Sequence, residues 1–84
     1  METPVWFDKT HVKISLDARP LLARGEHPLE RVISETGSLG PGEIYEILTP
    51  FKPAPMIEKL RALGFESFTK QDDSGLFYTY FARS

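Results

Sequence analysis

Val12-Lys13-Ile14-Ser15-Leu16-Asp17 and, after a loop, Pro28-Leu29-Glu30-Arg31-Val32-Ile33-Ser34-Glu35-Thr36 decide the fold. In the first stretch Val12, Ile14 and Leu16 alternate with Lys13 and Ser15. A period of two predicts a strand with one buried face, ended by Asp17. In the second, Leu29, Val32, Ile33 and Thr36 recur at i, i+3, i+4 and i+7, which is one face of a helix. Pro28 suits the first helical position, where its missing N–H would have had no partner. Glu30 complements the positive end of the helix dipole, and Gly37 reads as the stop. A strand followed by a helix folds back onto a sheet, so the rest of the chain is read for the strands that complete it.

Upstream, Met1 to His11 mixes Pro4, Trp6, Phe7 and charges without a period and reads as a tail. Trp6-Phe7 is expected to fold back onto the domain, since an exposed aromatic pair is costly; an interaction hook is the alternative. Between strand and helix, Asp17 to Glu26 reads as a loop bent at Pro20 and Gly25. Downstream, Gly37 to Gly42 resembles a phosphate-binding loop only in composition. Such a loop leaves a strand and opens a helix, whereas here a helix ends and a strand begins. A turn is expected.

Ile44 to Leu48 reads as a second, more continuously apolar strand, as suits a central position. Thr49 to Pro55 is its exit loop, stiffened by Pro50, Pro53 and Pro55. Met56 or Ile57, Leu60 and Leu63 form the stripe of a second helix stopped by Gly64. Phe65 to Lys70 and Leu76 to Ala82 read as strands joined by Gln71-Asp72-Asp73-Ser74-Gly75, a run of turn-forming residues. Leu76, Tyr78 and Tyr80 fall on one face of the last strand, and Phe77, Thr79 and Phe81 on the other. The expected order is β-α-β-α-β-β: an α+β two-layer sandwich with a four-stranded mixed sheet and two helices on one face. The first two strands are parallel through a right-handed crossover. The domain is placed at residues 12–84, after a tail at 1–11.

Length and composition set the bounds. The chain's 84 residues suit one domain with a thin core, which self-association would help. A net charge of −2 offers no basic surplus to neutralise phosphates, so no nucleic-acid partner is expected. No apolar run reaches the ~20 residues that cross a bilayer, and Met1 to Thr10 lacks the pattern of a secretory signal. A cytoplasmic, soluble protein is expected. The absence of cysteine excludes disulfides, thiolate metal sites and thiol catalysis on this chain.

Leu16, Asp17 and Arg19, then His27, Pro28 and Leu29, then Pro41, Gly42 and Glu43, then Pro53, Pro55 and Met56 form an ordered set of short motifs. Together they resemble the TusA/SirA family of small sulfur carriers, and more closely the TusA-related domains of unknown function, over about Val12 to Arg83. The resemblance implies a four-stranded mixed sheet with two helices on one face. The carriers hold a Cys-Pro-x-Pro motif at the start of their first helix. If its last proline matches Pro28, the cysteine position falls on Gly25, and with no cysteine anywhere this chain cannot carry sulfur. Relatives fused to or encoded near hemerythrin-like or cupin domains imply an accessory or regulatory role, with a redox protein or metalloprotein as partner, by association alone.

In open α/β sheets, ligands collect beyond the carboxyl ends of parallel strands. The loops there, Asp17 to His27 and Thr49 to Pro55, both run into helix N-termini, which favour negative groups. Arg19, Arg24 and Lys52 add positive charge, and His27 adds the side-chain type whose charge changes near neutral pH. Asp17, Arg19, Arg24, Glu26, His27 and Lys52 are therefore the candidate site, for a protein partner or a small anionic or polar ligand. The competing reading is that Asp17 and Arg19 pair with each other and tie the loop down, while His27 is a local cap. Asp17, Glu26 and His27 would have to serve a metal-dependent accessory or enzyme, but no ligand spacing or nucleophile and base pair is visible. No metal, cofactor or catalytic residue is assigned. A third possibility is RNA stacking on Tyr78 and Tyr80 across the open sheet face, in the β-α-β-α-β-β order that the C-terminal domain of translation initiation factor three also has. The same face is a candidate homodimer surface.

Overall fold

The computed structural model describes residues 3–83; Met1 and Glu2 of the expected tail, and Ser84, lie outside them. The four strands are β1 (Val12–Asp17), β2 (Ile44–Thr49), β3 (Phe65–Gln71) and β4 (Phe77–Arg83). They form one sheet in the order β1-β2-β4-β3, with β1 and β2 parallel and the other two pairings antiparallel. Among the described residues there are three α-helices: α1 (Arg19–Ala23), α2 (Leu29–Thr36) and α3 (Ala54–Ala62). The expected α+β architecture is present, with α1 as an addition.

α1 corrects the reading of Asp17 to Glu26 as loop. Pro20 stands in its first turn, where it costs no hydrogen bond, and Asp17 Oδ1 accepts from the Arg19 amide at 3.0 Å. A single turn carries too little hydrophobic periodicity to be visible in sequence. Gly37 closes α2 differently from expectation, since its φ of −60° remains right-handed. The Ser38 and Leu39 amides return to Glu35 O and Thr36 O, and side chains add to them: Ser38 Oγ donates to Glu35 O, while Arg83 donates to Gly37 O and, beyond the helix, to Leu39 O. Gly64 does take the left-handed conformation, at φ +93°, one residue past α3's cap.

All three helices cover one face. Val32, Met56, Ile57 and Leu60 pack there on Leu16, Tyr45, Ile47, Phe65 and Phe81, with Leu21 and Leu22 of α1 alongside. Leu63, expected in the α3 stripe, is instead 49% exposed, because the helix ends before it and the cap turns it outward. The Tyr45 phenol crosses the layer and donates to Glu35 Oε1 at 2.6 Å.

The alternation of β1 is broken. Val12 is registered with Ile44 and Ile14 with Tyr45, so two steps of β1 oppose one of β2: a bulge at Lys13. Ile14 and Leu16 consequently face the helices, while Val12 joins Ile44 on the opposite face. The expectation that Val12, Ile14 and Leu16 share one face is corrected accordingly.

That opposite face is covered by the N-terminal segment. Phe7 meets the rings of Tyr80 and Phe68 at centroid distances of 4.6 and 5.2 Å, and Trp6 stands edge-on to Phe7 at 6.4 Å. Lys70 Nζ lies over both Phe7 and Tyr80. A 3-10 turn at Lys9–His11, started by Asp8 accepting from the Thr10 amide, then leads into β1. Trp6-Phe7 folds back as expected, and belongs with the domain rather than with a free tail.

Candidate functional site

The carboxyl ends of β1 and β2 lie together, Asp17 opposite Leu48. Leu48 is in turn opposite Tyr78, and Thr49 and Gln71 are both opposite Phe77. The β3–β4 hairpin therefore reaches the same end of the sheet as the two loops chosen from sequence. Three segments frame this end, one more than the sequence indicated.

Asp17 and Arg19 hold each other. The guanidinium donates from Nη2 to Oδ2 at 2.7 Å and from Nε to both carboxylate oxygens. These bonds, with the Arg19 amide, keep the Asp17 carboxyl below the usual carboxylate range. Arg19 is correspondingly raised, chiefly by Asp17, with smaller contributions from Tyr78 and Asp72 of the hairpin. Arg24 donates to Glu26 at 2.7 Å. Both arginines are thus matched by carboxylates two residues away. Neither Asp17 nor Glu26 hydrogen-bonds His27, and among the described residues no three His, Asp or Glu side chains come together as a metal site would need.

His27 and Lys52 go different ways. His27 lines an apolar groove of about 290 Å³ with Leu29, Phe51, Pro53, Pro55 and Met56, between the beginnings of α2 and α3. Phe51 is 49% exposed there. Lys52 leans to the far side of its loop, beside Phe68, Thr69, Lys70 and Phe77. The six predicted residues are brought together as two pairs and two separate side chains, not as one cluster.

The hairpin tip is explained by its own geometry. Asp72 Oδ1 accepts from the Ser74 amide and hydroxyl and from the Leu76 amide, and Gly75 takes φ +92°. These bonds, led by the Ser74 hydroxyl, hold Asp72 below the usual range. The turn at Gly40-Pro41-Gly42 is also local: Glu43 Oε1 accepts from the Gly40 amide at 2.6 Å, and Gly42 has φ +79°.

Sequence reasoning missed Glu46, a carboxylate in the middle of an apolar central strand. It stands between Ser15 and Tyr80 across three strands, on the face under Phe7. Ser15 Oγ donates to its Oε1 at 2.7 Å, but Oε2 and the Tyr80 hydroxyl are both buried and close no hydrogen bond among the described residues. Burial, and then the Glu46 carboxylate across the strand pair, push the Tyr80 phenol above its usual range. The only signal in the sequence was a charged residue interrupting Ile44-Tyr45-Glu46-Ile47-Leu48. Part of the aromatic face considered for RNA and for a homodimer is covered by the chain itself, Phe7 lying on Tyr80 and Phe68, while Tyr78 stays half-buried beside Lys9 and Lys70.

A comparison with known protein families, characterised proteins and solved structures finds no match to this chain.

Proposed function

We propose that this chain is a non-enzymatic binding or regulatory module that recognises a protein partner at the joint end of the sheet, through the groove of His27, Phe51, Pro53 and Met56. The observation that carries this reading is the groove itself, an apolar hollow with Phe51 half exposed at its lip. Exposed apolar surface beside polar groups is the usual mark of a contact site for another protein. Pro50, Pro53 and Pro55 fix the loop's φ angles, so little conformational freedom remains to be lost on binding. A small anion is the weaker choice of ligand, because Arg19 and Arg24 are already neutralised by their neighbours. The resemblance to the TusA-related domains points to the same end of the fold, where the carriers hold the cysteine that this chain lacks.

The test is a photo-crosslinking residue placed at position 51 in cells, with the same residue at Pro41, in the turn at the other end of the sheet, as control. A discrete protein adduct is expected at position 51, none at position 41, and loss of the adduct when His27→Ala and Pro55→Asp, both at exposed residues of the groove, are added. Equal capture at both positions, or capture that ignores these substitutions, overturns the reading.

A further inference from the structure

β3 is an outer strand, bonded to β4 on one side only. Every second residue of such a strand points its N–H and C=O away from the sheet, and proteins normally blunt that row. The other outer strand is blunted: β1 has the bulge at Lys13, a 3-10 turn before it, and charges engaged in Lys13–Glu43 and Asp17–Arg19 pairs. β3 has none of these devices. Its register with β4 runs without a break from Phe65 to Gln71, and no backbone hydrogen bond among the described residues reaches it from outside the sheet.

The charges on β3 are arranged differently from a guard. Among the described residues Glu66 and Lys70 form no ion pair, the Lys70 ammonium lying over the Phe7 and Tyr80 rings; they have opposite sign and stand two residues either side of Phe68, the midpoint of the strand. A guard of like charges repels any second copy. Opposite charges placed symmetrically about a centre attract one. When β3 meets itself antiparallel about a two-fold axis at Phe68, Glu66 faces the second copy's Lys70, Lys70 faces its Glu66, and Ser67 faces its Thr69. Such an isologous pairing is self-complementary.

We propose that two copies of this chain associate edge to edge through β3, centred on Phe68, to make one continuous eight-stranded sheet with all the helices on the same face. The flanking surface suits this occupant. Pro4, Lys52, Ile57 and Arg61 form a groove of about 320 Å³ with Ser67, Phe68 and Thr69 along the edge, and Val5, next to Pro4, is wholly exposed. A domain this short buries a smaller fraction of its surface than a larger one does, so a second copy adds burial that the fold alone lacks. One strand pair falls at the low end of interface sizes, so the association is concentration-dependent.

Sedimentation equilibrium of the full chain from about 10 μM to about 1 mM tests it, since a weak dimer has its Kd in that range. The mass is expected to rise towards that of two chains. Glu66→Lys or Lys70→Glu alone places like charges on both sides of the axis and weakens association about tenfold or more. The double variant restores it, as does mixing the two single variants. Amide exchange of the wild type, which needs no substitution, is expected to slow in β3 as concentration rises. A chain monomeric throughout, association indifferent to the charge reversals, or slowing confined to β1 or to Trp6-Phe7 overturns the proposal.

Discussion

Tyr45, at the centre of the sheet, donates a 2.6 Å hydrogen bond to Glu35 on α2, and so fastens the helix layer to the sheet from within. The phenol is the donor, and Arg31 approaches the other carboxylate oxygen at 3.4 Å. Tyr45→Phe keeps the ring in the core and removes only the donor. A loss of about 1–2 kcal/mol in urea unfolding is expected, the usual value of a partly buried bond to a charged acceptor. An unchanged midpoint would show the bond to be energetically idle.

Tyr45 and Tyr80 together set an alkaline limit. Burial first, then the neighbouring Glu35 or Glu46 carboxylate, raises each phenol well above its ordinary value near 10. The folded state therefore keeps protons that the unfolded chain gives up. Their contribution is fully present below about pH 10 and is lost as pH rises beyond it, at about 1.4 kcal/mol per pH unit for each group still protonated in the fold. Tyrosinate absorbance should appear together with loss of the circular dichroism signal, and Tyr45→Phe/Tyr80→Phe should separate the two. Ionisation of Tyr45 and Tyr80 near pH 10 with the fold intact would contradict this.

Phe7 is the anchor of the N-terminal segment. It contacts Tyr80 and Phe68 and lies under Lys70. Phe7→Ala is expected to cost about 2 kcal/mol, less than a fully buried phenylalanine, and to release Trp6. Trp6 fluorescence should shift to the red while α2 and α3 keep their helical signal. No shift would mean that Trp6 holds its place without Phe7.

Asp17 and Arg19 bind each other, and removal of the pair should separate stability from recognition. Because Asp17 is held below the usual carboxylate range, its stabilisation is present above the unfolded-state value and is lost as pH falls. Both side chains are substantially exposed, so solvent screens the pair and the loss is small. Arg19→Ala should lower the melting temperature slightly, by fraying α1, and leave partner capture at position 51 intact. Pro55→Asp, in the exposed wall of the same groove, should do the reverse. Loss of capture in Arg19→Ala with α1 intact would return Arg19 to the recognition surface.

Long-range order was legible in this sequence where the pattern was long. β2, α2, α3 and the β3–β4 hairpin each carry several residues of one period, and each lies within a residue or two of its expected place. What escaped was short or three-dimensional. α1 is a single turn, held by Asp17 and Pro20 rather than by an apolar stripe. The bulge at Lys13 turns Val12 over without changing the alternation of letters. The candidate site was half legible: its end of the sheet follows from topology and the Asp17–Arg19 pair was one of the two readings open there, but the Arg24–Glu26 pair depends on side-chain rotamers, which no spacing rule supplies. The covering of Tyr80 by Phe7 joins the two ends of the chain, and local pattern is silent about it.

The bulge at Lys13 also bears on how far such a sheet can grow. Runaway addition of strands, as in a cross-β fibre, requires each newcomer to present a fresh, regular margin for the next. Here one margin is interrupted, so a strand added at the other finds no second place from which to continue. A molecule with a sealed side and an open side is a terminator of its own polymer. The irregularity that spoils the alternation of β1 thus acts as a stop codon written in backbone geometry.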